Sequence, residues 1–323
     1  MSALKLKSCL AIQIQALINL RRVAGTDYQS QAQLLGYFDR FLVAHGVSEP
    51  RITREITDAY QQSLSHLRPR VQQNRFGVVR QLCEYLTRTD PLSYVPESQR
   101  TIHSDWAFQP YIYRPSEVQT LLIAASDLRP RNSLRPETYR MLLGLLYTTG
   151  IRIGEAIDMN LEDFDRDEQR LYIAEGKFRK SRWVPLSAST GHELRRYAEN
   201  RLRMKLHSPD SPLFLNQRCR RLHHSTVNHT FRDLLKRCGI SHHKEQGPRI
   251  HDLRHTFAVH RLLAWYRDGQ DVNARLPWLA TYMGHVDIYS TQVYLRPTAE
   301  LWEQVDRRFH KHYLDHVKSH GGK

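Results

Sequence analysis

The sequence lacks any long hydrophobic run: no apolar stretch approaches the roughly 18 residues that a helix needs to cross a bilayer. Residues 1–22 are interrupted by Gln and Asn and have no small-residue cleavage site. They predict an amphipathic helix rather than a signal peptide. A basic amphipathic helix with aromatic anchors is also missing, which argues against a membrane-surface protein. We therefore expect no membrane partner.

Cysteine is scarce, and the four that occur are scattered without a C-x-x-C pair. Such spacing argues against a disulfide framework or a zinc knuckle and is typical of reduced thiols in the cytoplasm. The sequence also lacks repeats and low-complexity tracts. A chain of 323 residues suits two domains better than one, because single cores rarely grow to that size. The composition therefore predicts a cytoplasmic protein of two domains.

Acidic residues are few relative to basic ones: 33 Asp and Glu stand against 48 Lys and Arg, a net charge of +15. The excess is uneven, since residues 200–249 hold 11 basic and 3 acidic residues, whereas residues 1–105 hold 13 and 9. A concentrated positive charge favours a polyanionic partner over a merely solvated surface. Composition alone does not choose between DNA and RNA.

Helical spacing of apolar residues dominates the chain. Residues 1–90 contain four such segments, enough for a small bundle, and residues 91–115 hold three prolines before Pro115 and little periodicity, as in a linker. Residues 116–298 are mostly helical, with strand-like segments at 171–174 and 183–186 joined by a basic hairpin. The predicted fold class is therefore mainly α with a small antiparallel β-sheet, in which a helical bundle precedes a second domain.

The most informative residues are polar and occur in four short motifs. TGIRIGE spans residues 149–155, HDLRH spans 251–255, GH follows at 284–285, and Tyr294 comes nine residues after His285. Guanidinium groups bind non-bridging phosphate oxygens, imidazoles move protons near neutral pH, and a phenol can act as a nucleophile. Together these groups supply what a metal-free attack on a phosphodiester requires.

Two of these motifs have competing interpretations. His251 and His255 lie at i and i+4 and could bind zinc from one helix face, but the metalloprotease pattern needs Glu where Asp252 stands. We therefore expect no metal. Arg152 is flanked by apolar residues and needs an anionic partner, which is either Glu155 or a bound phosphate. The residues alone favour neither partner.

The order and spacing of these motifs resemble the tyrosine recombinase (phage-type integrase) family over residues 116–298. TGIRIGE resembles the family's first arginine motif, residues 251–258 resemble its H-x-x-R-H box, and STQVY at 290–294 resembles its tyrosine motif. The spacing from His285 favours Tyr294 as nucleophile over the neighbouring Tyr282 and Tyr289. One departure is that the interval from His251 to His285 is longer than usual, which predicts a loop extension between two helices at 264–273.

The resemblance implies a role for each motif residue. Tyr294 would attack a DNA phosphate and form a 3′-phosphotyrosyl link. Arg152 and Arg254, with His285, would hold the non-bridging oxygens as charge builds up in the transition state. His251 would assist the tyrosine proton.

Three further catalytic or supporting roles follow from the same resemblance. Glu155 would orient the first arginine, and His255 would support the site. The hairpin sequence E-G-K-x-x-K-x-R-x-V-P-L places Lys177 where the family has a mobile lysine that protonates the departing 5′-oxygen, with Lys180 as the alternative. Arg179, Lys180 and Arg182 would contact the DNA backbone.

The family likeness also implies partners. It predicts double-stranded DNA recombination sites as substrate, no cofactor, and a helical DNA-binding domain in residues 1–90. The tail at 299–323, with an apolar stripe through Leu301, Trp302, Val305 and Phe309, predicts a helix for subunit contact in a homo-tetramer; packing on its own domain is the alternative. The expected function is site-specific recombination or integration for a mobile element. Type IB topoisomerase activity and a DNA-binding accessory role are the alternatives.

Overall fold

The computed structural model describes residues 5–97, 110–174, 181–203, 208–240 and 247–285. The chain separates into two compact units, residues 1–107 and 108–323, and the division lies inside the predicted linker. The start of that linker belongs to the first unit, and its end belongs to the second. The backbone N–H of Tyr94 donates to Ile52 O at 2.8 Å, and Tyr113 is fully buried in the core of the second unit.

The first unit has four helices in its described part, as the periodicity predicts. They are α1 (Ala11–Val23), α2 (Gln29–Ala44), α3 (Arg54–Ser63) and α4 (Pro69–Leu86). Apolar residues at helical spacing form the core, so Leu35, Phe38 and Leu42 of α2 have no exposed surface. The buried carboxylate of Asp39 accepts the backbone N–H groups of Lys7 and Ser8, which fixes the approach to α1.

The second unit is also mainly helical. Its described helices are α5 (Pro115–Ser126), α6 (Arg135–Thr149), α7 (Ile153–Asp158), α8 (Ala188–Leu202), α9 (His224–Arg237), α10 (Asp252–Arg267) and α11 (Val272–Met283). None of the helices in the described ranges is both long and apolar enough to cross a membrane.

A small antiparallel sheet completes this unit and confirms the predicted fold class. Its strands are β1 (Phe164–Asp165), β2 (Arg170–Ile173) and β3 (Arg182–Pro185), in the order β1-β2-β3. Leu171 pairs with Val184, and both side chains are fully buried. The two-residue strand β1 was not predicted, because two residues give no alternation to detect.

Helix α6 lies at the centre of the second unit, where Leu142 and Leu145 have no exposed surface. It ends at Gly150, whose φ of +64° is in the left-handed region that favours glycine. A Cβ at this position would overlap the Phe257 ring of α10. The resulting tight turn places Arg152 directly at the start of α7.

Helices α10 and α11 form a hairpin with a core of its own, which includes Leu262, Leu276 and Met283. The extension at 264–273 was expected to be a loop. Instead, residues 264–267 continue α10 and residues 272 and 273 begin α11, so only four residues connect the helices. Asp271 caps α11 by accepting the N–H groups of Asn273 and Ala274.

Candidate active site

The described motif residues meet at the C-terminal end of α11. Arg152 is the N-cap of α7, and Arg254 lies in the first turn of α10 with only 3% of its surface exposed. Helix α11 ends at Gly284, whose φ of +69° turns the chain so that His285 follows beside the two arginines. Motifs that are 100 residues apart in sequence are thus brought into one site.

Three consecutive carbonyl groups at this helix end each accept a hydrogen bond from a different arginine. The last carbonyls of a helix have no partner within it and carry partial negative charge, so they attract cations. The pairs are Arg182 Nε with Tyr282 O at 3.0 Å, Arg254 Nη2 with Met283 O at 2.8 Å, and Arg152 Nη2 with Gly284 O at 2.9 Å. The backbone of α11 therefore gathers three guanidinium groups.

Arg254 has further contacts that fix its plane. It donates to Gly150 O, at the end of α6, and its Nη2 donates to His285 Nε2 at 2.7 Å. Because an arginine can only donate, the ring of His285 presents Nε2 as an acceptor in this arrangement. The guanidinium thus connects α6, α10 and the histidine motif.

Glu155 is the carboxylate of this cluster. It accepts the backbone N–H of Arg152 at 2.9 Å and the Arg152 guanidinium at 2.7 Å, and Arg182 donates to both of its oxygens. Burial alone would raise the pKa of this carboxyl group, but the two arginines outweigh that effect and lower its pKa to about 2. Glu155 therefore stays charged and fixes the direction of Arg152.

His251 and His255 pack edge to face, with ring centroids 5.0 Å apart. Burial, followed by the charge of Arg254, lowers the pKa of His251 to about 4. Burial, followed by His251, lowers the pKa of His255 to about 3. Both rings are therefore neutral near pH 7, and a neutral imidazole is the form that can accept a proton. In the described part of the chain, no three His, Cys, Asp or Glu side chains are arranged to hold a metal ion.

These two histidines predict acid sensitivity of the fold. Unfolded imidazoles take up protons near pH 6.5, whereas the folded rings stay neutral to about pH 4 and 3, so the unfolded state binds more protons in between. We expect the free energy of unfolding to fall as the pH drops below about 6.5. His255→Gln should make this fall shallower, and exposed His192→Gln should not. Urea unfolding between pH 7 and pH 4.5 measures both, and equal pH slopes for wild type and His255→Gln would contradict the prediction.

A cavity of about 430 Å³ opens beside Arg152 and His251, and Ile173 at the end of β2 also lines it. The predicted nucleophile Tyr294 and the hairpin residues Lys177, Arg179 and Lys180 lie outside the described residues, as do the alternative Tyr289 and the tail at 299–323. The cavity and the arginine cluster therefore define the described part of the site.

Tyr282, the other alternative nucleophile, is described. Its hydroxyl donates to Pro185 O at 3.1 Å, and burial raises its pKa to about 12. The ring also stacks on Phe257, with centroids 5.7 Å apart. A hydroxyl held in this way, with so high a pKa, is poorly suited to attack a phosphate.

Arg182 was predicted to contact the DNA backbone, but the structure places it in the interior. Its side chain is only 11% exposed and donates to Glu155 and to Tyr282 O. The strand pattern could have indicated this, because residues two apart on a strand face the same side. Arg182 shares its face with fully buried Val184, and Trp183 between them is 48% exposed.

Comparisons with known proteins identify the family of the chain. The model of the phage integrase family matches residues 112–300. The integrase/recombinase y4rB of Sinorhizobium fredii is 36% identical over 307 residues, which cover 94% of this chain and 97% of that protein.

Two solved structures share the fold. The Tn1549 transposon integrase in complex with transposon right end DNA has a TM-score of 0.64 at 16% identity, covering 93% of this chain and 98% of that one. The XerH site-specific recombinase bound to its difH substrate has a TM-score of 0.63 at 19% identity, covering 88% and 81%. With the family match and the 36% relative, these findings establish that the chain belongs to the phage integrase family of tyrosine recombinases.

Proposed function

We propose that this protein is a site-specific recombinase or integrase that cuts and rejoins DNA through a 3′-phosphotyrosyl intermediate on Tyr294. The observation that carries the proposal is the meeting of Arg152, Arg254 and His285 at the end of α11. Two guanidiniums and an imidazole held this closely form a site for one phosphate group. Family membership supports the DNA substrate.

In the proposed reaction, the Tyr294 oxygen attacks the scissile phosphorus and the bond to the 5′-oxygen breaks. The arginines and His285 stabilise the negative charge that builds up on the non-bridging oxygens, and each such contact contributes about 3–4 kcal/mol in comparable sites. A 5′-hydroxyl from a partner duplex then attacks the phosphotyrosine, which releases Tyr294 and completes the exchange. Neither step consumes a nucleotide, because the phosphodiester energy is kept in the tyrosyl bond.

Two proton transfers accompany cleavage. We assign removal of the Tyr294 proton to His251, because it lines the same cavity as Arg152 and its imidazole is neutral near pH 7. We assign protonation of the leaving 5′-oxygen to Lys177, on the basis of its place in the hairpin motif.

The bundle offers a candidate surface for further DNA contact. The guanidiniums of Arg40 and Arg75 both stack on the ring of Tyr37, at 4.7 and 4.5 Å from its centroid. Tyr37 remains 43% exposed, so the stack lies at the surface. Two cations held on an aromatic ring present a rigid positive patch that suits phosphate oxygens. We propose that this patch binds the backbone of the recombination site.

Replacing both Arg40 and Arg75 with Ala should weaken DNA binding and reduce its salt dependence. Each phosphate contact releases counterions and contributes about 0.9 to the slope of log K against log salt, so the double variant should lose roughly 2 from this slope. Titration of labelled site DNA at several salt concentrations measures it. The matched control is Arg54→Ala on α3, since Arg54 already pairs with Asp58. An unchanged slope in the double variant would rule out the patch as a phosphate contact.

We further propose that the enzyme assembles as a homo-tetramer through its tail. A groove of about 750 Å³ on the α10–α11 hairpin is lined by Trp265, Trp278, Arg261 and Arg275, and Trp278 is 75% exposed. The first part of the tail, residues 299–306, combines apolar Leu301, Trp302 and Val305 with three acidic residues, Glu300, Glu303 and Asp306, and holds no basic residue. Apolar and charge complementarity favour this segment of a second copy as the occupant of the groove.

A chain that ends before Ala299 should bind a half-site as a monomer with near wild-type affinity but fail to pair two sites and exchange strands. The reason is that the phosphate contacts remain and the subunit contact is lost. Gel mobility measures half-site binding, and a two-site recombination assay measures exchange. Trp278→Ala should cause a smaller loss of site pairing and exchange than the truncation. If the truncated chain exchanged strands at the full-length rate, the tail would not be the subunit contact. Assembly would then run through the helical bundle, and the tail would pack on its own domain.

The direct test of the function is covalent trapping on a nicked suicide substrate made from the ends of the element that carries the gene. We expect a protein–DNA adduct that resists sodium dodecyl sulfate, and recombination between two sites. Relaxation of a plasmid without a site, with no exchange, would instead indicate topoisomerase activity. Binding without any adduct would indicate an accessory DNA-binding protein.

The mobile-element assignment is supported by the family and by the fold shared with a transposon integrase. We propose a cytoplasmic location, which the four free cysteines suit.

A further inference from the structure

Arg182 connects three parts of the active site that are distant in sequence. It begins β3, it donates to both oxygens of Glu155 at the start of α7, and its Nε donates to Tyr282 O at the end of α11. Arg152 makes a parallel connection, because it donates to the same carboxylate and to Gly284 O. Arg182 therefore links the first arginine motif to the helix end that carries the histidine motif.

Only an arginine can make this set of contacts. Its planar guanidinium presents donors in a fixed fork, so two can face one carboxylate while Nε faces a third acceptor. A lysine at the same place would keep the charge, but its three donors share one nitrogen, so it could not face both carboxylate oxygens with two nitrogens while a third faces the carbonyl of α11. The contacts with Glu155 and Tyr282 O therefore depend on both the shape and the charge of the Arg182 side chain.

Arg182 also packs against the turn at Gly284, which directly precedes His285. A Cβ added to Gly284 would lie 2.6 Å from Arg182 Nη1 and 2.7 Å from its Cζ. Gly284 is the residue with φ of +69°, and its carbonyl accepts the hydrogen bond from Arg152. The guanidinium of Arg182 thus packs on the turn between α11 and His285, where a side chain would prevent that contact.

We propose that Arg182 is a positioning residue for DNA cleavage, and this rests on the proposed recombinase function. It holds the Arg152–Glu155 pair and the end of α11 in one fixed arrangement, so that Arg152, Arg254 and His285 face the phosphate before DNA arrives. It does not contact DNA itself. Fixed placement of charged donors is what makes such sites effective, because little reorganisation is then needed in the transition state.

The test compares wild type with Arg182→Met and Arg182→Lys. Single-turnover adduct formation is measured at saturating suicide substrate, and affinity is measured at several salt concentrations. We expect cleavage to fall on the order of 100-fold in Arg182→Met and at least about 10-fold in Arg182→Lys. Affinity should stay within about 3-fold, and the salt slope should not change, because no phosphate contact is lost.

Arg170→Met on the neighbouring strand is the matched control. Arg170 also pairs with a carboxylate, that of Asp165, and its guanidinium lies over the Trp183 ring, 4.4 Å from the centroid. These two contacts involve neither α11 nor Glu155, so loss of the Arg170 side chain should leave cleavage near the wild-type rate. If Arg182→Met lowers the salt slope by about 1 yet cleaves normally at saturating DNA, Arg182 is a phosphate contact and the proposal is overturned.

A pH profile distinguishes positioning from a general loss of structure. In Arg182→Met the carboxyl group of Glu155 remains buried, which raises its pKa. It loses the hydrogen bond from Arg182, which is the largest of the effects that lower this pKa. The acid side of the cleavage profile should therefore move to higher pH in Arg182→Met, and Glu155→Gln in the same chain should remove that shift. A profile of unchanged shape would overturn the proposal.

Two controls keep the outcomes distinct. If Arg182→Met does not fold, as judged by thermal unfolding, Arg182→Lys and Arg182→Gln carry the same comparison. If wild type itself forms no adduct, the recombinase function fails; if wild type cleaves and the Arg182 variants cleave equally well, only the positioning role fails.

Discussion

Replacement of Tyr294 by Phe is expected to abolish the covalent protein–DNA adduct while DNA affinity stays within a few-fold of wild type. The substitution removes one phenol oxygen, the atom that would form the bond to phosphorus, and leaves the ring in place. The arginine cluster at the end of α11 is untouched, so phosphate binding should persist. Denaturing gels of labelled suicide substrate measure the adduct, and gel mobility measures the affinity.

The two alternative tyrosines provide the controls. Tyr282→Phe removes the hydrogen bond to Pro185 O and should reduce stability by about 1 kcal/mol, but it should still form the adduct. Tyr289→Phe should also form it. An adduct with Tyr294→Phe would show that the nucleophile is Tyr282 or Tyr289. Loss of the adduct in Tyr282→Phe or in Tyr289→Phe would then identify the nucleophile.

The fold could be predicted from the sequence wherever local chemistry decides it. Helix α6 shows apolar periodicity and then Gly150, and α9 ends in the same way before Gly239, so pattern and stop signal agree. The strand pair β2–β3 showed alternation, and it formed with Leu171 opposite Val184. In each case neighbouring residues carry the whole signal.

The extension at 264–273 shows where local chemistry misleads. The long interval between the two histidine motifs predicted a loop over all ten residues, whereas only residues 268–271 connect the helices. The extra residues lengthen both helices because Val272 is buried in the core of the hairpin and Trp265 and Tyr266 pack against that core. The lengths of the two helices are therefore decided by packing between them, and a short stretch of sequence does not show this packing.

The candidate site shows the same division. The motif residues Arg152, Arg254 and His285 could be named from sequence, because their spacing is a family pattern. Their surroundings could not, since they depend on backbone carbonyls of α11 and on Gly150 O, and a sequence does not show where carbonyl groups point. For the same reason Arg182 was predicted as a surface contact when it binds inside the site.

The backbone acceptors have a chemical consequence. Guanidiniums bound only by mobile side chains would rearrange when a phosphate arrives, whereas carbonyls at a helix end are held by the helix itself. Arg254, bound to Met283 O and Gly150 O, is tied to two helix ends at once. Its position is therefore fixed by the fold, and small changes in its shape should have large effects on cleavage.

Arg254→Lys is accordingly expected to reduce single-turnover cleavage by about 100- to 1000-fold, which corresponds to about 3–4 kcal/mol of transition-state stabilisation. The lysine keeps the positive charge but has one nitrogen, which cannot reach Gly150 O, Met283 O and a phosphate oxygen together. Because Arg254 is 3% exposed and two carbonyls lose a donor, stability should also fall, by roughly 1–3 kcal/mol.

Arg201→Lys separates the loss of catalysis from the loss of stability. Arg201 has no exposed surface and donates to Pro212 O and to the Ser211 hydroxyl, so it is a buried arginine of similar kind outside the cluster. Both variants should unfold at lower temperature, but at temperatures well below unfolding only Arg254→Lys should cleave slowly. Cleavage by Arg254→Lys within about 3-fold of wild type would mean that positive charge alone suffices at this position and that the shape of the guanidinium is not needed.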